Sequence, residues 1–99
     1  MLYAIIGEDG PDSLPKRTAV RPSHTEYLQP LIELGKVIFA GCHPAIDSPD
    51  PGPAGFTGSL IIAEFDSLEA AHDWAARDPY ALEGVFRDVV VKPLIQAFP

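Results

Sequence analysis

Four apolar runs separated by two helical stretches occur in this chain, and their order restricts the fold more than any other feature. Leu2 to Gly7 is short and apolar on both faces, and it meets the turn-rich Glu8-Asp9-Gly10-Pro11-Asp12. That pattern predicts a first strand, placed centrally in a sheet. Lys36-Val37-Ile38-Phe39-Ala40-Gly41-Cys42 reads as strand two by its β-branched and aromatic content. Thr57 to Phe65 reads as strand three, and Val85 to Phe98 holds a fourth strand centred on Val89-Val90-Val91. Pro93 is expected to mark where pairing on one edge stops.

The first helix is expected to start at Ser13 as N-cap, with Pro15 in the first turn. Pro22 is expected to kink or restart it, and Pro30 to bend it again, because proline breaks the hydrogen-bond ladder. His24, Leu28, Leu31 and Ile32 share one helical face. Gly35 supplies a left-handed cap. In the second helix Leu68, Ala71, Trp74 and Ala75 form an apolar stripe. Ser67 or Asp66 caps it, and Glu69 sits beside its positive end. Asp78-Pro79 ends this helix and starts a short turn of another, Asp as cap and Pro at the first position. Pro44 to Phe56 contains four prolines, two glycines and two aspartates, which excludes a helix or an inner strand. A connection this long tends to cover a site or a partner.

The order strand, helix, strand, strand, helix, strand predicts an α+β fold of the ferredoxin-like βαββαβ type. Its four-stranded antiparallel sheet carries both helices on one face. The 99 residues suit one domain spanning 1–99. A chain of this size buries only about two-thirds of the surface that its unfolded form exposes, so its own core is thin. Strands one, two and three are apolar on both faces, so the bare face of the sheet is expected to be covered by a second copy, giving a homodimer.

The formal net charge is −7, from 14 acidic against 7 basic side chains. Such a surface argues against nucleic acid and against anionic membranes as partners. No apolar run approaches the roughly 18 residues of a membrane span. The apolar start lacks the basic region of a signal peptide and reads as a strand. One cysteine, Cys42, permits no intrachain disulfide, and a cytoplasmic protein is the simplest expectation. Cys42 is expected to be a small buried hydrophobe.

No glycine-rich phosphate loop, zinc-type Cys/His spacing or nucleophile elbow is present, so neither a cofactor nor a metal is expected. His43 adjoins Cys42, but neighbours on a strand point to opposite faces and cannot ligate one metal together. His72 lies off the apolar stripe among Glu69 and Asp73 and reads as a solvated position. His24 differs, because it lies on the apolar face of helix one. A packed histidine holding one hydrogen bond and a general base both fit that position. The catalytic reading needs a carboxylate to orient the ring, and Asp78 is the candidate, although a helix cap also explains it. Arg21, three residues before His24, is a candidate for binding an anionic substrate. Tyr80 is a candidate for a phenolic hydrogen bond to the same substrate, or for a packed boundary residue.

Taken together, Leu2-Tyr3-Ala4-Ile5, Asp12-Ser13-Leu14-Pro15-Lys16-Arg17, Arg21-Pro22-Ser23-His24, Leu34-Gly35-Lys36 and Ala40-Gly41 carry a resemblance that no single piece would. It continues through Ala54-Gly55-Phe56-Thr57-Gly58-Ser59, Glu64-Phe65-Asp66-Ser67-Leu68-Glu69-Ala70-Ala71, Asp78-Pro79-Tyr80, Gly84-Val85-Phe86 and Val91-Lys92-Pro93. The chain resembles the YciI-like, or YCII-domain, family over nearly its whole length. Cys42-His43 falls where the family often has a single proline, so the end of strand two departs from the pattern. The resemblance implies a dimeric α/β-barrel built from ferredoxin-like units. It also implies a His/Asp-centred site, carried here by His24 and Asp78. The family is similar in architecture to muconolactone isomerases, and one branch resembles dehydrochlorinases acting on chlorinated aromatic breakdown products.

Two functional classes follow. The first is a small cofactor-free enzyme, a lyase or isomerase, in which His24 and Asp78 perform acid/base chemistry on a small carboxylate or phenolic molecule. Arg21 or Tyr80 then holds a substrate oxygen. The alternative is a non-catalytic module that binds a small metabolite, or serves an interaction, on the same dimer.

Overall fold

The computed structural model describes residues 1–99. The strands are β1 (Leu2–Asp9), β2 (Val37–Pro44), β3 (Phe56–Glu64) and β4 (Phe86–Leu94). The helices are α1 (Leu14–Glu33), α2 (Leu68–Ala76) and the single turn α3 (Pro79–Leu82). The strands form one antiparallel sheet in the order β2-β3-β1-β4, with β1 and β3 inside. This is the expected ferredoxin-like arrangement.

Alternation along the inner strands separates two sheet faces. Tyr3, Ile5, Ile61 and Ala63 are buried and form the core with Leu28 of α1 and with Ala71 and Ala75 of α2. Pairing of Tyr3 with Ala63 and of Ile5 with Ile61 keeps these side chains in one layer. The intervening residues Leu2, Ala4, Ile6, Leu60 and Ile62 point to the opposite face, which no element of the chain covers. Across that face lie Phe39, 50% exposed, and Val90, 38% exposed.

Several local expectations need correction. The strands β1, β2 and β3 differ from their sequence-read bounds by one or two residues, β1 running on through Asp9 and β2 through Pro44, and β4 occupies Phe86–Leu94 within the Val85–Phe98 stretch. Pro22 and Pro30 lie inside one continuous α1, neither ending it nor restarting it. Both prolines are exposed, so water can satisfy the carbonyls that they leave free. Gly35, at φ 69°, takes the left-handed position after the helix, as expected. Ser13 occupies the N-cap position but makes no capping bond; its hydroxyl donates instead to Asp9 Oδ2 at 2.6 Å. Ser67 does cap α2, accepting from the Ala70 amide. Leu68, the first residue of α2, is 40% exposed and so stands outside the buried part of the stripe. Pro93 does not stop pairing, since Leu2 still pairs with Leu94. β4 is an edge strand, where a missing N–H on the outer side costs no ladder bond. The Pro44–Phe56 connection contains one 3-10 turn, Gly52–Ala54.

Candidate active site

The site forms where α1 crosses above the sheet and meets α3. Beneath α1, β2 presents only the small residues Ala40, Gly41 and Cys42, and a cleft of about 340 Å³ opens between them. That volume suits a small organic molecule. Arg17, Arg21, His24, Cys42, Ser59 and Tyr80 supply much of its polar wall; Leu28, Ile32, Phe56 and Ile61 supply much of its apolar wall. A larger groove of about 870 Å³ lies around the turn after β1, and neither His24 nor Asp78 lines it.

His24 and Asp78 meet although 54 residues separate them. His24 Nδ1 lies 2.7 Å from Asp78 Oδ1. The Asp78 side chain is 2% exposed and that of His24 is 15% exposed, so the carboxylate is sealed while the ring keeps an edge in the cleft. Local sequence explains the placement of Asp78. It caps α3, where Pro79 is preset for the first helical position, and the Tyr80 amide donates to the same Oδ1 at 2.9 Å. One carboxylate oxygen therefore both ends the chain turn and orients the imidazole. Ionised Asp78 is acceptor-only, so the shared hydrogen is on Nδ1 and Nε2 of the neutral ring carries the lone pair. The contact thus fixes the ring's tautomer and turns an accepting nitrogen away from Asp78.

Tyr80 is buried, and its ring stacks on His24 with centroids 3.9 Å apart and planes 9° apart. Burial raises its pKa, while the charges of Arg17 and Arg21 work against the rise. Arg21 is exposed on α1 at the cleft rim. All four residues expected from sequence thus come to one place. Cys42 does not fit its expectation: it is exposed, because edge strand β2 has no helix pressed over it.

Arg17 is a polar wall residue that sequence reasoning missed. It is 6% exposed and stands one pair of helical turns before His24 on α1. Its Nε and Nη2 each donate to Asp9 at 3.0 Å, and Nη2 also donates to Ser59 Oγ at 2.7 Å. Its guanidinium lies 4.7 Å from the Tyr80 ring centroid and 5.4 Å from that of Phe56. Burial would lower its pKa, but the bonds to Asp9 and the Asp9 charge outweigh that and raise it. The four-residue spacing of Asp9, Ser13 and Arg17 was the available signal.

A family model for the YCII-related domain matches residues 1–95. The chain belongs to the YCII-related domain family. Protein YciI of Escherichia coli O6:H1 is 55% identical over 98 residues, covering 99% of this chain and 100% of that protein. An uncharacterised Haemophilus influenzae protein of the same length range is 49% identical over 98 residues, with 99% and 100% covered. Among solved structures, this YCII-domain chain is similar to the 5-chloro-2-hydroxyhydroquinone dehydrochlorinase of Burkholderia phenoliruptrix in complex with 2,5-dihydroxybenzoquinone. The TM-score is 0.86 at 28% identity, and 98% of this chain and 96% of that chain are covered. The YCII fold seen here is therefore one that an enzyme uses.

Proposed function

We propose that this YCII-domain chain is a small cofactor-free enzyme, a lyase or isomerase, acting by acid/base chemistry on a small ring-bearing or carboxylate substrate. The observation that carries the reading is the 2.7 Å contact of His24 Nδ1 with a sealed Asp78 at the wall of a cleft. His24 Nε2 takes a proton from a hydroxyl, or from carbon beside a carbonyl. Asp78 holds the ring and faces the charge that develops on it. The electron pair left behind expels a leaving group in an elimination, or is reprotonated elsewhere in an isomerisation. Tyr80 or Arg21 holds a substrate oxygen. Similarity to a dehydrochlorinase over almost the whole chain supports the elimination branch.

A homodimer completes the proposal. The open sheet face carries Leu2, Ala4, Ile6, Leu60 and Ile62 in a continuous patch, which a second copy would cover through its own equivalent face.

The test is turnover of chlorinated hydroxyhydroquinones and of small β-hydroxy or enolisable carboxylates, followed by mass spectrometry. Replacing His24 with Asn should lower kcat about 10²- to 10⁴-fold while the thermal midpoint holds. Unchanged turnover in that variant removes the base. Thermal stabilisation by these compounds with no product formed favours the binding module instead.

A further inference from the structure

The guanidinium of Arg17 is over-determined for a residue with only a structural task. Its Nε and Nη2 are locked by the Asp9 carboxylate and by Ser59, and Ser13 holds the same carboxylate from the other side. No protein acceptor completes a hydrogen bond to Nη1, yet no fully buried polar atom in the chain lacks a partner. Nη1 must therefore lie in the part of the side chain that remains open, which is 7% of it and faces the cleft. Phe56 and Tyr80 flank the guanidinium and line the same cleft.

We infer that Arg17 is the receptor for a substrate oxyanion in this cleft, and that Nη1 together with the Tyr80 hydroxyl binds that oxygen. The inference rests on the site proposed above but not on its chemistry. Two N–H donors on a nitrogen that cannot lose its proton select an anionic oxygen over a neutral one. The donors are prepositioned, so binding costs little side-chain ordering. A ring hydroxyl conjugated to a carbonyl, as in a hydroxyquinone, is a vinylogous carboxylic acid and is ionised at neutral pH. It carries the charge that Nη1 selects. Arg17 is thus a specificity residue, and Asp9, Ser13 and Ser59 are the groups that position it.

The experiment is calorimetric titration of the full chain with 2,5-dihydroxybenzoquinone and with its neutral dimethyl ether. The wild-type protein should bind the anion about 10- to 100-fold more tightly than the ether. The double variant Asp9→Asn/Arg17→Gln removes both charges of the pair and should bring that ratio close to one. A folded double variant that keeps the ratio overturns the inference, as does wild-type protein that binds neither compound. Loss of the ratio in Arg21→Gln alone would also overturn it, by moving the receptor to the rim. Should the double variant not fold, the side-chain ¹⁵N signal of Arg17 Nη1 in wild-type protein decides: it moves on saturation with the anion if the assignment holds, and an unmoved signal refutes it. Titration of His24→Asn separates this inference from the proposed chemistry. A preserved ratio there leaves Arg17 as receptor even if turnover assays reject His24 as base.

Discussion

Asp78 and Asp9 are both sealed carboxylates, and each is satisfied in a different way. Asp78 accepts from a ring nitrogen and a backbone amide, while Asp9 accepts from Arg17 and Ser13. Losing the partner of a buried ion costs far more than the pair contributes, because the remaining charge has no water. Asp9→Ala should therefore destabilise the protein by about 3–5 kcal/mol, read as a lowered urea midpoint with an unchanged slope. An effect within about 0.5 kcal/mol would mean that solvent reaches Arg17 freely. At this scale the His24–Asp78 pair was legible, since Asp-Pro announces a capped turn and a histidine on an apolar helix face asks for a partner. Arg17 was not. An arginine in a helix reads as solvated until the strand that carries Asp9 is known to end beneath it.

Elements were legible by type and order, and less so at their edges. Periodicity locates a strand by its buried positions, so polar or glycine-containing ends such as Glu8-Asp9 in β1 were cut short. The prolines of α1 do not end the helix, for a physical reason: proline removes one hydrogen bond, and packing can hold the two halves together across it. Here Arg17 anchors the first half to β1 and β3, and Leu28 anchors the second half to the core. Within the sheet, β1 and β3 approach closely at Gly58, where an added Cβ would lie 2.2 Å from the Gly7 carbonyl oxygen. Gly58→Ala should force these strands apart and cost about 2–3 kcal/mol. It should also loosen Ser59, and with it the Arg17 cluster. Amide hydrogen exchange in β1 and β3 reads both effects; protection as in wild type would contradict the close approach.

For the molecule as a whole, the thin core and the bare sheet face are one fact seen twice. Ile62 points to that face, so Ile62→Glu should shift sedimentation from twice the 10.7 kDa chain mass toward the single mass. A wild-type protein that sediments as a monomer would remove the dimer. Alkaline pH probes the interior. Burial raises the pKa of Tyr27 and, despite Arg17 and Arg21, that of Tyr80. The folded state thus holds their protons more tightly than the unfolded chain does. Stability from these groups is complete below the ordinary tyrosine value of about 10 and falls as pH rises through the higher folded values. Denaturation followed from pH 8 upward should show that decline, and it should be smaller in Tyr27→Phe. The fold serves the site by bringing α1 and the turn before α3 together, which fixes one imidazole. Long-range ¹H–¹⁵N NMR of the His24 ring tests this most directly and needs no substrate. The neutral ring should carry its proton on Nδ1, toward Asp78, with Nε2 bare in the cleft. A proton found on Nε2 instead would contradict the account, because His24 would then have no lone pair to offer a substrate.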